Sequence, residues 1–275
     1  MNITAQQVNE LRKITGAGMM DCKKALIESE GDVEKAIDIL RKKGQKVAAN
    51  RADRSANEGV VLAKVSEDKT FAAAVMVNCE TDFVAKNADF IAYTESILDA
   101  AIKNKVKDID SLKSMDIDGH TVEETITNQT GVIGEKIELG KYEVVEAAST
   151  YAYIHPGNRI ATIAGFNKAG DFDAEGKDVV MQIAAMAPVS LSKDDVPSDV
   201  IAHEIEIGKD MARQEGKPEE MLEKIAMGKL NKFFKENTLL NQTFIKDSKK
   251  NVAEYLQSKD KDLTVVDFKR IALGS

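Results

Sequence analysis

"GVVLAKVSEDKTFAAAVMVN", Gly59 to Asn78, decides how this chain is read. Two apolar runs flank the polar Ser66-Glu67-Asp68-Lys69, and the second run, Phe71 to Val77, carries no charge. Short apolar runs bounded by turn residues predict a pair of strands. Phe90, Ile91, Ile97, Leu98 and Ala101 then mark a helix near Asn87 to Ile102. Between strand and helix lies a polar crossing, "NCETDFVAKN", Asn78 to Asn87, with one phenylalanine, Phe83. Where aromatics make up only 5% of the residues, Phe83 is either a core anchor or a side chain held out for another protein.

The hairpin-then-helix order recurs. "TYAYIHPGNRIATIAGF", Thr150 to Phe166, predicts strands turning at Pro156-Gly157, and Val179, Val180, Ile183 and Ala187 form the apolar side of a following helix. Two such units predict an α+β fold with two related lobes. Between them Thr121 and Glu124 have the spacing to cap a short helix, and "EKIELGKYEVVEA" alternates as a strand does. From Pro197 to about Glu236 the pattern becomes helix–turn–helix. Ile201, Ile205 and Met211 share one side of the first helix, and Leu222, Ile225, Leu230 and Phe233 lie on the second. Gly216-Lys217-Pro218 joins them, glycine suiting a helix end and proline a helix start. Pairing the helices antiparallel buries both stripes, and the charged remainder suggests a projecting arm. The chain returns through "QTFIKD", a short helix capped by Ser248, and the strand-like "LTVVDFKRIAL".

The first 44 residues predict a three-helix bundle. Thr4 and Gln7 have capping-box spacing; Val8, Leu11 and Ile14 mark one face; Gly16-Ala17-Gly18 stops the helix. Cys22, Ala25 and Leu26 face inward on a second helix from about Met20 to Ser29, and Gly31-Asp32 recaps the chain. Val33, Ala36, Ile37 and Leu40 stripe a third helix that Lys42-Lys43-Gly44 ends. "QKVAANRADRSAN" follows as a charged, partly helical linker, which suggests few core contacts between this head and the rest. The expected order is head and linker over 1–54, lobe one over 55–148, lobe two over 149–196, arm over 197–236, and the return to lobe two over 237–275.

Composition narrows the function. With 43% hydrophobic and 31% charged residues, and no apolar stretch near the roughly 20 needed to span a bilayer, no membrane role is expected. A net charge of -8 argues against unaided binding to nucleic acid, whose phosphates are met by clustered Lys and Arg. "MNITAQQVNELRK" has neither a signal-peptide core nor transit-peptide character, and Cys22 and Cys79 are widely separated. Free thiols in a cytoplasmic protein are the expectation. Nothing points to an enzyme or a cofactor. His120, His155 and His203 are scattered, no metal-ligand spacing occurs, and no histidine motif accompanies Cys79. Gly16-Ala17-Gly18 follows a helix and lacks a third glycine, so it fails the dinucleotide-binding context. Most carboxylates fall on solvated helical faces. A binding module fits better. Met19 and Met20 are adjacent, so both cannot easily face one core, and methionine suits an adaptable contact surface. Arg12 alone reads as a solvated helix residue, and His155 as a turn residue before Pro156.

Two stretches carry a resemblance to a known family. "LRKITGAGMMDCKKAL", Leu11 to Leu26, and "VNCETDFVAK", Val77 to Lys86, resemble the two signatures of the translation elongation factor Ts family. The likeness covers the whole chain and is weaker in the middle and at the carboxyl end. It implies a guanine-nucleotide exchange factor, without catalytic residues, whose partner is elongation factor Tu. It further implies a ubiquitin-associated-like head, a two-lobed core, and a coiled-coil arm inserted in the second lobe, which dimerises some members. By the resemblance Arg12, Met19 and Met20 meet the nucleotide-binding domain of the GTPase. Thr81, Asp82, Phe83 and Val84 form the element that dislodges its Mg²⁺, with Phe83 as the wedge and Asp82 as a polar contact or helix cap. Ile133, Gly134 and His155 resemble positions gripping a more distant domain. Many relatives add a helix after the last strand; the sequence stops at Ser275, so that contact is not carried over.

Overall fold

The structure is a computed structural model describing residues 3–274; Met1, Asn2 and Ser275, and with them the outer limits of the expected domains, lie outside the described residues. The architecture is α+β. The chain divides into two compact units, one of Met1–Leu62, Val75–Glu143 and Ala272–Ser275, the other of Ala63–Ala74 and Val144–Ile271.

In the first unit the Thr4–Gln7 capping box opens α1 (Ala5–Thr15), the Gln7 amide donating to Thr4 Oγ1 at 3.3 Å and the Thr4 amide to Gln7 Oε1 at 2.9 Å. Gly16, at φ +67°, ends it. Then come α2 (Met19–Glu28) and α3 (Val33–Arg51), the latter capped by Asp32. Val8, Leu11, Ala17, Cys22, Ala25, Leu26 and Ala36 make the core of this bundle. Ile14, expected inside, is exposed: the chain turns at Gly16 and Ala17 fills the place beneath the bundle. Val33 is also exposed, because at the first helical position it lies beyond the packed face.

The elements that follow are β1 (Glu58–Val65), β2 (Phe71–Cys79), α4 (Asp82–Ala85), α5 (Ala88–Lys103), α6 (Ile109–Ser114), β3 (Asp116–Ile117), β4 (His120–Thr121), α7 (Val122–Ile133) and β5 (Glu138–Glu146). The β1–β2 turn, within the Ala63–Ala74 stretch that belongs to the second unit, closes with the Lys69 amide donating to the Ser66 carbonyl at 2.9 Å. The sheet order is β1-β2-β5, so β2 is central. All nine of its residues are buried, which explains an uninterrupted apolar run rather than an alternating one. Asn87 caps α5, and Thr121 with Glu124 caps α7.

One boundary differs from expectation. Gly44 does not end α3, which continues to Arg51 and packs along α7. Glycine inside a helix costs about 1 kcal/mol relative to alanine. Here its missing side chain lets the helices cross backbone to backbone: a Cβ on Gly131 of α7 would overlap Gly44 Cα. The head therefore shares a packed helix interface with α7, contrary to the few contacts expected of a linker.

In the second unit β6 (Ser149–Ile154) pairs antiparallel with β7 (Ile160–Phe166), Tyr151 opposite Ala164. Pro156 and Gly157 occupy the middle of the turn, with Gly157 at φ +91° and the Asn158 amide donating to the His155 carbonyl at 3.0 Å, a type II arrangement. Val179, Val180 and Ile183 of α8 (Asp173–Met186) are buried against this sheet. Ala187 is not: it is the exposed, left-handed C-cap, and Ala184 takes the inward position. Two helices, α9 (Ser198–Gln214) and α10 (Glu219–Asn237), pair antiparallel. Their seam is Gly208 and Ala212 against Leu222, Ala226 and Leu230. Met211 is exposed, since this close crossing takes small residues and a Cβ on Gly208 would lie only 3.0 Å from Ala226 Cα. The return segment holds β8 (Thr243–Phe244), β9 (Asp247–Asn251), α11 (Val252–Lys259) and β10 (Val265–Ala272), with sheet order β10-β7-β6. Asn251, not Ser248, caps α11 in a box with Glu254, because pairing of β9 with β8 draws Ser248 into a strand. No helix among the described residues is long and apolar enough to cross a membrane.

Candidate functional site

As β2 ends, consecutive residues are seized by two acid-centred contacts. The Glu80 carboxylate accepts the Lys136 amide at 2.6 Å and the Arg51 guanidinium at 2.8 and 3.0 Å. The next residue, Thr81, donates its amide to Glu135 Oε2 at 3.0 Å and its hydroxyl to Glu135 Oε1 at 2.8 Å. The same hydroxyl accepts the Val84 amide at 3.5 Å, so Thr81 is the N-cap of α4. Asp82 is not the cap but the first helical residue, and it pairs with Lys86 at 2.6 Å. That hydrogen bond lowers its pKa below the usual carboxylate value.

Phe83 is 83% exposed on this single turn. Val84 is half-buried. The core-anchor alternative is therefore excluded for the folded chain. Cys79 is buried, and its thiol donates to the Thr81 carbonyl at 3.2 Å. Burial, with Glu135 and Glu58 nearby, pushes the thiol up to about 12, which leaves it protonated and unreactive at neutral pH. Among the described residues no group of three or more His, Cys, Asp or Glu could hold a metal.

Met19 and Met20 open α2 immediately after the Gly16–Gly18 turn, and are 55% and 61% exposed while Ala17 and Cys22 take the core. Arg12 is exposed on α1. Gly134, at φ +81°, ends α7, with Ile133 half-buried just before it. A depression of about 400 Å³ is lined by Gly16, Val84, Phe90, Val132 and Ile133, among others. The structure thus brings the head turn, α4 and the end of α7 to one surface of the first unit. His155 belongs to the second unit, whereas Ile133 and Gly134 belong to the first. It sits exposed at the β6–β7 turn, its Nδ1 at 3.1 Å from the Tyr153 hydroxyl.

Sequence reading missed Arg51, Glu80, Glu135 and Lys136. Their partners are 29, 54 and 56 residues away, so no local spacing announces them. Exposed Ile14 was missed because it continues an apolar stripe that reads as core, and exposed Val132 had no pattern to announce it.

Glu80 carries a pH dependence. The Lys136 amide first, then Arg51, hold its pKa below the usual value. A depressed folded-state pKa adds stability that is present above the unfolded value and lost as pH falls through the folded one. Glu80→Gln should cost about 1–3 kcal/mol at pH 7. The gap to the parent should close progressively below about pH 4. Denaturant melts of both proteins across that range check this, and a pH-independent gap would contradict it.

A family model described as Elongation factor TS matches residues 80–275. Proteins named Elongation factor Ts are similar over nearly the whole chain. That of Christiangramia forsetii is 54% identical over 273 residues, covering 99% of each chain. That of Flavobacterium psychrophilum is 51% identical with 99% of each covered, and that of Porphyromonas gingivalis 50% identical with 100% of each covered.

Proposed function

Because the chain belongs to the elongation factor Ts family of translation elongation factors, we propose that it binds GDP-bound elongation factor Tu, dislodges the Mg²⁺ there and promotes exchange of GDP for GTP. The observation that carries this reading is Phe83, exposed on a clamped single turn whose Val84 lines one depression with Gly16 of the head turn. A GTPase holds its nucleotide through phosphate-loop hydrogen bonds and a bridging Mg²⁺. Releasing it needs binding energy that differs between loaded and empty states, not a reaction centre. A thousandfold loss of nucleotide affinity corresponds to about 4 kcal/mol of coupling. Burying one phenylalanine contributes about 1.5–3 kcal/mol, and a desolvated polar contact from Asp82 supplies part of the rest.

In this reading Phe83 wedges into an apolar slot near the partner's magnesium side, and Thr81 and Val84 fix how the ring is presented. Arg12, Met19 and Met20, on a ubiquitin-associated-like head, meet the nucleotide-binding domain. Ile133 and Gly134 extend that surface, while His155 contacts a further domain from the second of two related lobes. The α9–α10 pair is the coiled-coil arm. The protein works in the cytoplasm with no cofactor of its own, no catalytic residue, and no direct contact with nucleic acid or membrane.

The test is linkage. The protein should accelerate GDP release from elongation factor Tu, and GDP with Mg²⁺ should weaken the complex by the same factor by which the protein weakens GDP binding. Complex affinity titrated with and without GDP at fixed Mg²⁺ measures both sides. An unchanged affinity with an unchanged release rate would leave a passive binding module.

A further inference from the structure

We infer that Glu135 is a positioning residue for Phe83, its carboxylate setting the direction in which α4 presents the ring. This rests on the exchange reading above and names what that surface needs in order to act. A helix of one turn does not hold itself, because nucleation fixes several dihedrals for a single hydrogen bond. The backbone bonds of α4 are few: the Ala85 amide to the Thr81 carbonyl at 3.3 Å, the Lys86 amide to the Asp82 carbonyl at 3.0 Å and the Asn87 amide to the Val84 carbonyl at 3.0 Å. Its orientation must come from outside, and it comes at the N-cap. Both Glu135 oxygens are spent on Thr81, one on the amide and one on the hydroxyl. Two bonds from one planar group fix an angle as well as a distance.

Glu135 is itself aimed. It follows Gly134, whose left-handed conformation ends α7. The next residue, Lys136, gives its amide to Glu80, which also takes Arg51 from the last turn of α3. The exit of β2 is thus clasped on consecutive residues by carboxylate bonds, and α4 continues from the clasp. Without Glu135 the turn frays, and the partner must order it on binding. That cost falls on the contact that drives release.

The experiment uses the full chain as Glu135→Ala, Glu135→Gln, Phe83→Ala and the Phe83→Ala/Glu135→Ala double variant. In the free protein, amide hydrogen exchange at Ala85 and Lys86 should quicken about tenfold in Glu135→Ala, the equivalent of one lost charge-assisted bond. Amides of β2 and α5 should keep their protection, and Glu135→Gln should fall between. In GDP release from elongation factor Tu, the maximal rate with Glu135→Ala should drop about tenfold. In the Phe83→Ala background, Glu135→Ala should add nothing, since the ring it aims is gone. Unchanged protection of α4 would overturn the proposal. So would an equal further loss of rate in the double variant, which would make Glu135 a contact in its own right. If Phe83→Ala alone released GDP at the parent's rate, the wedge reading would fall, while the exchange measurement would still decide what holds α4.

Discussion

Phe83→Ala should melt within about 1 kcal/mol of the parent, as changes at exposed positions do. It should nevertheless lose about 30-fold or more of the accelerated GDP release, the effect of removing one aromatic hot spot. The two halves of this expectation have one cause. With 83% of the residue in water, truncation removes little that the fold uses. The same exposure means that almost the whole apolar area of the ring is still available to be buried against a partner. A core phenylalanine would behave oppositely, costing about 3–5 kcal/mol of stability through lost burial and a cavity. Denaturant melts and stopped-flow GDP release on one preparation give both quantities. Full exchange activity would remove Phe83 from the mechanism, whatever the melts gave.

Gly131→Leu should be strongly damaging although it lies away from Phe83, costing about 3 kcal/mol or more. A Cβ there meets Gly44 Cα, which is backbone and cannot swing aside. Helix α3 must then lift from α7, carrying the head with it, and Gly16 of the turn leading into Met19 and Met20 loses its place near Val84 of α4. GDP release should slow together with the melt. Gly44→Ala is the informative contrast. Its Cβ would lie 3.5 Å from Gly131 Cα, an ordinary contact, and alanine improves the helix. It should sit within about 1 kcal/mol of the parent, on the stabilising side. Equal melts for Gly131→Leu and the parent would mean the helices do not cross at these glycines.

Local hydrogen-bond arithmetic was legible in the residues themselves. Thr4 with Gln7 and Thr121 with Glu124 open helices where their spacing says they should, and Gly16 closes one. Pro156-Gly157 and the Ser66–Lys69 stretch turn two hairpins, and Gly216 with Pro218 separates the paired helices. Such features depend on neighbours within about four residues, so one strand of sequence contains every participant. The exposed methionines were also readable, because consecutive helical positions point about 100° apart.

What the sequence by itself did not determine is where partners distant along the chain arrive. Gly44 reads as a helix end until Gly131 is known to lie against it. Ser248 reads as a cap until β8 pairs with β9 and moves the helix start to Asn251. Ile14 and Met211 continue apolar stripes but face outward, because a turn alanine and a glycine–alanine seam fill the interiors first. Phe83 stood evenly between core and surface on the residues alone. Tertiary structure decided it: Glu135, 54 residues away, takes the amide and hydroxyl of Thr81, and a turn too short to hold itself is anchored with its aromatic ring in solvent.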